Sequence, residues 1–403
     1  MLFQPFGFAT GQIAKNRFFK SAMEEQLAQS SQPTQTLVNL YDAWAKGGAG
    51  VLVTGNVMVA ENGKGSLADV VLTDERSMDM LKSWAKAGTQ NDTLLIMQIN
   101  HAGKQSPKVV NATPVAPSAV ALKGMDGFIN PPRELAEHEI ETLIQNFADT
   151  AKIAAKAGFS GVQIHAAHGY LISQFLSPHH NRRSDKWGGS LENRMRFLVA
   201  VYQAIRAAVP SGFLVGVKLN SADFQKGGFD EQDSIQVVQK MAELGIDFIE
   251  ISGGNYESPE MLTAKASTKK REAFFLDYAE KARAVCTAPL IITGGFRSTH
   301  AMNEALQSGH LDFVGIARPF ALMPDLPNQI KNNSYQTITT NRIKTGVGFV
   351  DNKVGAVLEM DWYMAQMALI GRGQKPNLKL SPWRVLAKAL WTNGKAGLST
   401  GRS

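Results

Sequence analysis

The feature that most constrains this chain is a repeated alternation. Short runs rich in β-branched and aromatic residues recur eight times, at 16–22 (NRFFKSA), 50–55 (GVLVTG), 93–100 (TLLIMQIN), 161–167 (GVQIHAA), 213–220 (FLVGVKLN), 247–254 (DFIEISGG), 289–295 (PLIITGG) and 312–318 (DFVGIAR). Longer segments separate them, and those at 137–157, 191–208 and 231–244 have the spacing of amphipathic helices. Runs that are almost continuously apolar suit strands buried on both faces. Eight such β/α units predict an α/β fold of the (β/α)8 TIM-barrel type.

Nearly every run ends in a polar or very small residue: Ser21, Gly55, Gln98, His165, Lys218, Ser252, Gly294 and Arg318. In a barrel these ends face one mouth, where enzymes of this fold keep their sites. Two regions fall outside the alternation. The connection 101–135, rich in Pro, Gly and small residues, is too long for an ordinary loop and predicts a lid or insertion over the mouth after the third strand. The tail, with helical patterns at 355–370 and 381–392, predicts a C-terminal helical extension. The expected organisation is a barrel over 1–335 and an extension over 336–403 that packs on the barrel or on a second subunit of a homo-oligomer.

Composition narrows the functional classes. The 403 residues are 44% hydrophobic and 19% charged, ordinary values for a globular protein. The net charge of +7 is scattered except near the C-terminus, without the basic stripe and interleaved aromatics of a nucleic-acid binder, so the expected partner is an acidic small molecule. No stretch is apolar enough to cross a membrane. Cys286 is the only cysteine, which excludes an intramolecular disulfide and an iron–sulfur cluster held by this chain, and fits a reducing, cytoplasmic setting.

The stretch 161–183, GVQIHAAHGYLISQFLSPHHNRR, holds His165, His168, His179 and His180 out of eight histidines in the chain. A zinc site is not expected, because no carboxylate or cysteine stands at motif spacing. His179 and His180 read as surface or loop residues. His165 and His168, where an apolar strand ends, could grip one carbonyl oxygen between two donors, with the Tyr170 phenol near enough to deliver a proton. Two histidines satisfying local backbone groups remain the plainer alternative.

The segment HAAHGYLISQFLSPHHNRRSDKWGGSLENRMRFL resembles the signature of the Old Yellow Enzyme family of FMN-dependent ene-reductases. The likeness extends over roughly residues 1–330, through AKNRFFKSAM, VTGNVMV, MQINHAGKQ, VGVKLNSADF, ISGGNYE, IITGGF and DFVGIARPFALMPDLP in the family's order. The resemblance implies a (β/α)8 barrel, FMN as cofactor, NADH or NADPH as hydride donor, and reduction of the activated C=C bond of an α,β-unsaturated carbonyl or nitro compound. It implies that His165 and His168 bind the substrate's electron-withdrawing group and that Tyr170 is the proton donor. It places Gln98 on the pyrimidine side of the flavin with backbone contacts from Gly55, Lys218 near flavin N1 and O2 where the family usually has arginine, and Gly294 and Arg318 on the phosphate. Ser21, Ala22, Met23 and Ala317 would line the cofactor, Ala317 where the family usually has glycine.

Glu24 departs from the pattern, standing where most members have Thr or Cys beside flavin O4. As a carboxylate it is expected to make the flavin a weaker oxidant than is usual for the family; the alternative is that it turns away to pair with a neighbouring cation, or is protonated by burial and donates as Thr does. Gln26 occupies a place where some relatives have a substrate-contacting tyrosine. Two other activities fit the same residues: a flavin-dependent dehydrogenase or demethylase running hydride from substrate to flavin, and a flavin- or ligand-binding barrel without turnover.

Overall fold

The apolar runs become strands one after another. The computed structural model of the chain describes residues 1–125, 127–253, 268–338 and 343–393. The eight strands are β1 (Phe18–Lys20), β2 (Val51–Met58), β3 (Leu94–Asn100), β4 (Gly161–Ala166), β5 (Leu214–Asn220), β6 (Phe248–Ser252), β7 (Leu290–Thr293) and β8 (Phe313–Ile316). Each pairs in parallel with the next, and β8 pairs with β1, so the sheet closes into the expected barrel. Gly254, expected at the end of the sixth strand, lies outside the described residues.

Helices return the chain between strands: α1 (Gln35–Lys46), α2 (Met78–Gly88), α3 (Glu137–Ala157), α4 (Leu191–Ala208), α5 (Glu231–Glu243), α6 (Thr268–Val285) and α7 (Thr299–Gln307). Their starts follow local chemistry. The side chains of Thr34, Ser190, Asp230 and Ser298 each accept a hydrogen bond from a backbone N–H of the first turn, satisfying a donor that has no partner within the helix. No helix among the described residues is long and apolar enough to cross a membrane.

Because successive strand residues point to opposite faces, two cores form. The outer one lies between sheet and helices. The inner one fills the lower half of the barrel with Phe19, Val51, Val53, Ile96, Leu214, Phe248, Ile291 and Phe313. It is closed from below by an N-terminal hairpin, in which Phe6–Gly7 pairs with Ile13–Ala14; Phe8 stacks on Phe313 with ring centroids 5.7 Å apart. Toward the other end the inward residues turn polar: Phe19 gives way to Ser21, Ile96 to Gln98, Phe248 to Glu250, Ile291 to Thr293. One end is a greasy plug and the other a polar mouth.

The connection after β3 is an insertion tied down at several points. Lys104 Nζ bonds the Val120 carbonyl at 3.1 Å and His180 Nδ1 at 2.8 Å. Arg183 donates to the carbonyls of Pro117 and Leu135, and Gln105 donates to the carbonyl of His168 at 3.1 Å. The insertion therefore buttresses the β4 loop that carries the histidines. The tail forms α8 (Gly348–Gly371), longer than the expected 355–370, and α9 (Pro382–Asn393). Helix α8 packs on α1 and on the short helix Arg318–Leu322, and Asn39 Nδ2 donates to the carbonyl of Gly371 at 3.1 Å.

If Phe8 seals the base, Phe8→Ala should destabilise the protein by about 3 kcal/mol, the usual cost of emptying a buried aromatic site. Chemical denaturation of both proteins checks this, and a loss below about 1 kcal/mol would contradict the plug.

Candidate functional site

Inside the upper half of the barrel a chain of hydrogen bonds links six strands. Ser21 Oγ lies 2.8 Å from Thr293 Oγ1, and Thr293 Oγ1 donates to Glu250 Oε1 at 2.7 Å. Gln98 Nε2 donates to Gln163 Oε1 at 2.7 Å, and Gln163 Nε2 donates to Glu250 Oε2 at 2.7 Å. Lys218 Nζ pairs with Glu250 Oε1 at 3.1 Å. An ionised carboxylate only accepts, so every one of these bonds runs toward Glu250. Because Thr293 spends its one hydroxyl proton on Glu250, Ser21 is the donor to Thr293. Two groups are thereby presented upward: the Gln98 Oε1 carbonyl, which has no partner among the described residues, and the Lys218 ammonium.

The β4 register puts His165 beside Lys218. His165 Nδ1 accepts from the Ala167 amide at 3.2 Å, so a neutral ring carries its proton on Nε2, which has no partner among the described residues. Burial, then His168 and Lys218, hold His165 well below the ordinary imidazole value; burial and Lys218 do the same to His168. Both rings are neutral at pH about 7. Their centroids lie 5.0 Å apart, and the Tyr170 ring lies 4.8 Å from that of His165. His168 adopts φ 61, the left-handed region a non-glycine residue rarely enters. Asn220 Oδ1 accepts from its amide at 3.2 Å, and Ser252 Oγ lies 2.8 Å from its Nε2. When the Ser252 hydroxyl donates there, the His168 proton sits on Nδ1. The loop is held in a strained shape that brings two imidazoles and a phenol to one place.

Ser21 continues β1, its amide bonding the Ile316 carbonyl at 2.9 Å; Ala22 packs on the inner core and Met23 on the outer one. Gly55 is where β2 passes closest to this segment: a Cβ there would stand 2.6 Å from the Met23 carbonyl oxygen, so no larger residue fits without movement. Its amide donates to Glu25 Oε1 at 2.8 Å, and Tyr41 donates to the same oxygen. Glu24, half-buried, accepts from Asn56 Nδ2 at 2.9 Å. Burial, then Asp69 and Glu25, push its carboxyl well above the usual range, against the bonds from Asn56 and the Gln26 backbone. The direction favours the protonated form, in which the carboxyl could donate as well as accept.

At the last two strands, Gly294 follows β7 with φ 114, a conformation suited to glycine. Ala317 and Arg318 follow β8, where a short helix begins. Arg318 Nη1 pairs with Glu359 Oε1 at 2.7 Å, so helix α8 reaches the site.

All the expected positions therefore gather at one mouth. His180 differs from expectation: it lies in a turn but is buried, and Lys104 claims its ring instead of solvent. Glu250, Gln163, Thr293 and Glu359 went unnoticed in the sequence. Gln163 was visible as a polar residue in an apolar run two residues before His165; Glu250, two before Ser252, was ambiguous, and Glu359 is distant in sequence and gave no signal.

Comparison with known proteins agrees with this architecture. The model of the NADH:flavin oxidoreductase / NADH oxidase family matches residues 1–337. The chain is 39% identical over 357 residues to the NADH-dependent flavin oxidoreductase iliE of Hypocrea jecorina, covering 82% of this chain and 88% of the relative. It is 39% identical over 353 residues to the protein of that name from Neonectria, of whose length it spans 46%, against 80% of its own. The solved structure of an Old Yellow Enzyme homologue from Zymomonas mobilis superposes with a TM-score of 0.72 at 27% identity, over 83% of this chain and 94% of that one. With a closed barrel, a polar mouth and a family match along most of its length, this chain belongs to the NADH:flavin oxidoreductase / NADH oxidase family, whose members use FMN with NADH or NADPH as electron donor.

Proposed function

We propose that this chain holds FMN across the barrel mouth and reduces the activated C=C bond of α,β-unsaturated carbonyl or nitro compounds. The observation that carries the reading is the pair of neutral imidazoles beside a phenol, next to an acceptor and a cation. That donor set fits the cofactor: Gln98 Oε1 and Lys218 Nζ complement the N–H and carbonyl oxygens of the flavin's pyrimidine edge, and Arg318, at the end of the last strand, offers a guanidinium to the phosphate. Bound there, FMN supplies the hydride chemistry, accepting from NADH or NADPH and passing hydride to the substrate's β-carbon.

The residues of the chain do the rest. His165 donates from Nε2 and His168 from Nδ1 to the substrate's carbonyl or nitro oxygen. As charge builds on that oxygen these bonds strengthen, so they lower the barrier more than they tighten binding. Neutral rings suit the task, since a charged pair beside Lys218 would repel itself. Tyr170 gives a proton to the α-carbon. Ser252, Asn220 and Gln105 hold the His168 loop in register.

Replacing both His165 and His168 with Ala should leave FMN bound and slow enone reduction by ~100–1,000-fold for each lost bond to the developing charge. Turnover by the double variant at the wild-type rate would refute the assignment. Because both rings are held below the free value of 6.5, they gain protons only on acidification, and enone affinity should be flat between pH about 6.5 and about 8. A titration in that window that disappears in His165→Ala would contradict neutral imidazoles.

Glu24, its carboxyl pushed toward the protonated form by burial, would donate beside flavin O4 as Thr does elsewhere in the family. Redox titration of Glu24→Thr at pH about 7 should give a midpoint within about 30 mV of wild type, equivalent to ~1.4 kcal/mol for a two-electron couple. A rise of about 30–65 mV would show that Glu24 acts as an anion.

A further inference from the structure

The hydrogen bonds of the barrel interior have a direction, and one residue sets it. Glu250 is fully buried and can only accept. Gln163 must therefore turn its Nε2 toward Glu250, which leaves its Oε1 toward Gln98. Gln98 must then turn its own Nε2 toward Gln163, which leaves Oε1 as the atom presented to the mouth. Neither glutamine amide can reverse without placing two donors or two acceptors face to face, and an unmatched polar group without water is costly.

Resting on the reading that FMN lies over this mouth, we infer that Glu250 is a positioning residue that sets the polarity of the Gln163–Gln98 relay, and thereby makes the mouth recognise a ligand edge carrying an N–H donor. The chemistry selected is an imide-like edge, an N–H between two carbonyl groups, with Lys218 as cationic partner for one carbonyl oxygen. Glu250 touches no ligand itself. It acts through two amides and one ammonium.

Glu250→Gln tests this with almost no change in shape. Lys218 and Thr293 both offer protons to one end of the side chain, so the new amide turns its oxygen to them and its Nε2 to Gln163. Gln163 reverses, Gln98 reverses, and the mouth presents an N–H to the flavin N3–H. FMN affinity, followed by fluorescence titration of the apoprotein, should fall about 10–100-fold. The 3-methyl derivative of FMN lacks the N3 proton and should lose little, so the preference for FMN over 3-methyl-FMN should fall at least about 10-fold. A second change, Gln163→Leu added to Glu250→Gln, frees Gln98 to turn back and should recover part of the FMN affinity, whereas a purely structural role for Glu250 makes the double variant worse.

An unchanged preference in Glu250→Gln, or a double variant weaker than the single one, overturns the inference while wild-type binding keeps the proposed function intact. Wild-type protein that binds FMN and 3-methyl-FMN equally, or neither, overturns the proposed site and the inference together. Should Glu250→Gln fail to fold, Gln163→Leu alone carries the test. It cuts the relay nearer the flavin and must shrink the preference several-fold; an unchanged preference there overturns the inference equally.

Discussion

The buried contact between Glu250 and Lys218 governs the upper half of the barrel. Desolvating two opposite charges costs several kcal/mol for each, and their attraction offsets this only when further hydrogen bonds complete the geometry. Here they do: the carboxylate also receives Thr293 and Gln163, each at 2.7 Å. Removing one partner would strand the other charge among apolar strands. The same contact keeps a cation at the mouth without leaving it uncompensated, and through the glutamines it orders the atoms that the mouth presents.

That cation also acts on its neighbours. Lys218 stands beside His165 in the sheet register, and together with burial it makes charging of either histidine unfavourable. The imidazoles are thus kept as neutral hydrogen-bond donors near neutral pH. On the far side of the mouth the charges run the other way. Burial raises the carboxyl groups of Glu24, Glu25 and Asp69 above their ordinary range, and Glu24 is raised further by repulsion from Asp69 and Glu25. The mouth is polarised between a cationic side that disfavours charged imidazoles and an acidic side whose carboxyl groups are shifted toward their protonated forms.

Much of this was legible in the sequence, for physical reasons. Strands buried on both faces must be apolar, so β2 to β5 stood out as runs, and their polar C-terminal residues marked the mouth. Helix α4 was recognisable at both ends, since its stripe begins just after the capping Ser190 and stops before Pro210, and helix α3 was recognisable by its stripe and its stop at Gly158. The inward glutamate of β6 was harder to see, because a single carboxylate in FIEIS resembles the polar face of a half-exposed strand until the barrel closes around it. His180 was misjudged for a similar reason: only the fold brings Lys104 to it, from an insertion far back along the chain. The pairing of Arg318 with Glu359 needed the tail helix in place and had no local signature.

The account stands or falls on flavin at this mouth exchanging hydride with an enone. The most direct measurement is anaerobic stopped-flow spectroscopy of the purified, FMN-reconstituted protein at the oxidised-flavin band. NADH or NADPH should bleach the band, and 2-cyclohexenone mixed in afterwards should restore it. A colourless protein that FMN cannot reconstitute, or a bleached band that the enone leaves bleached, would contradict the account.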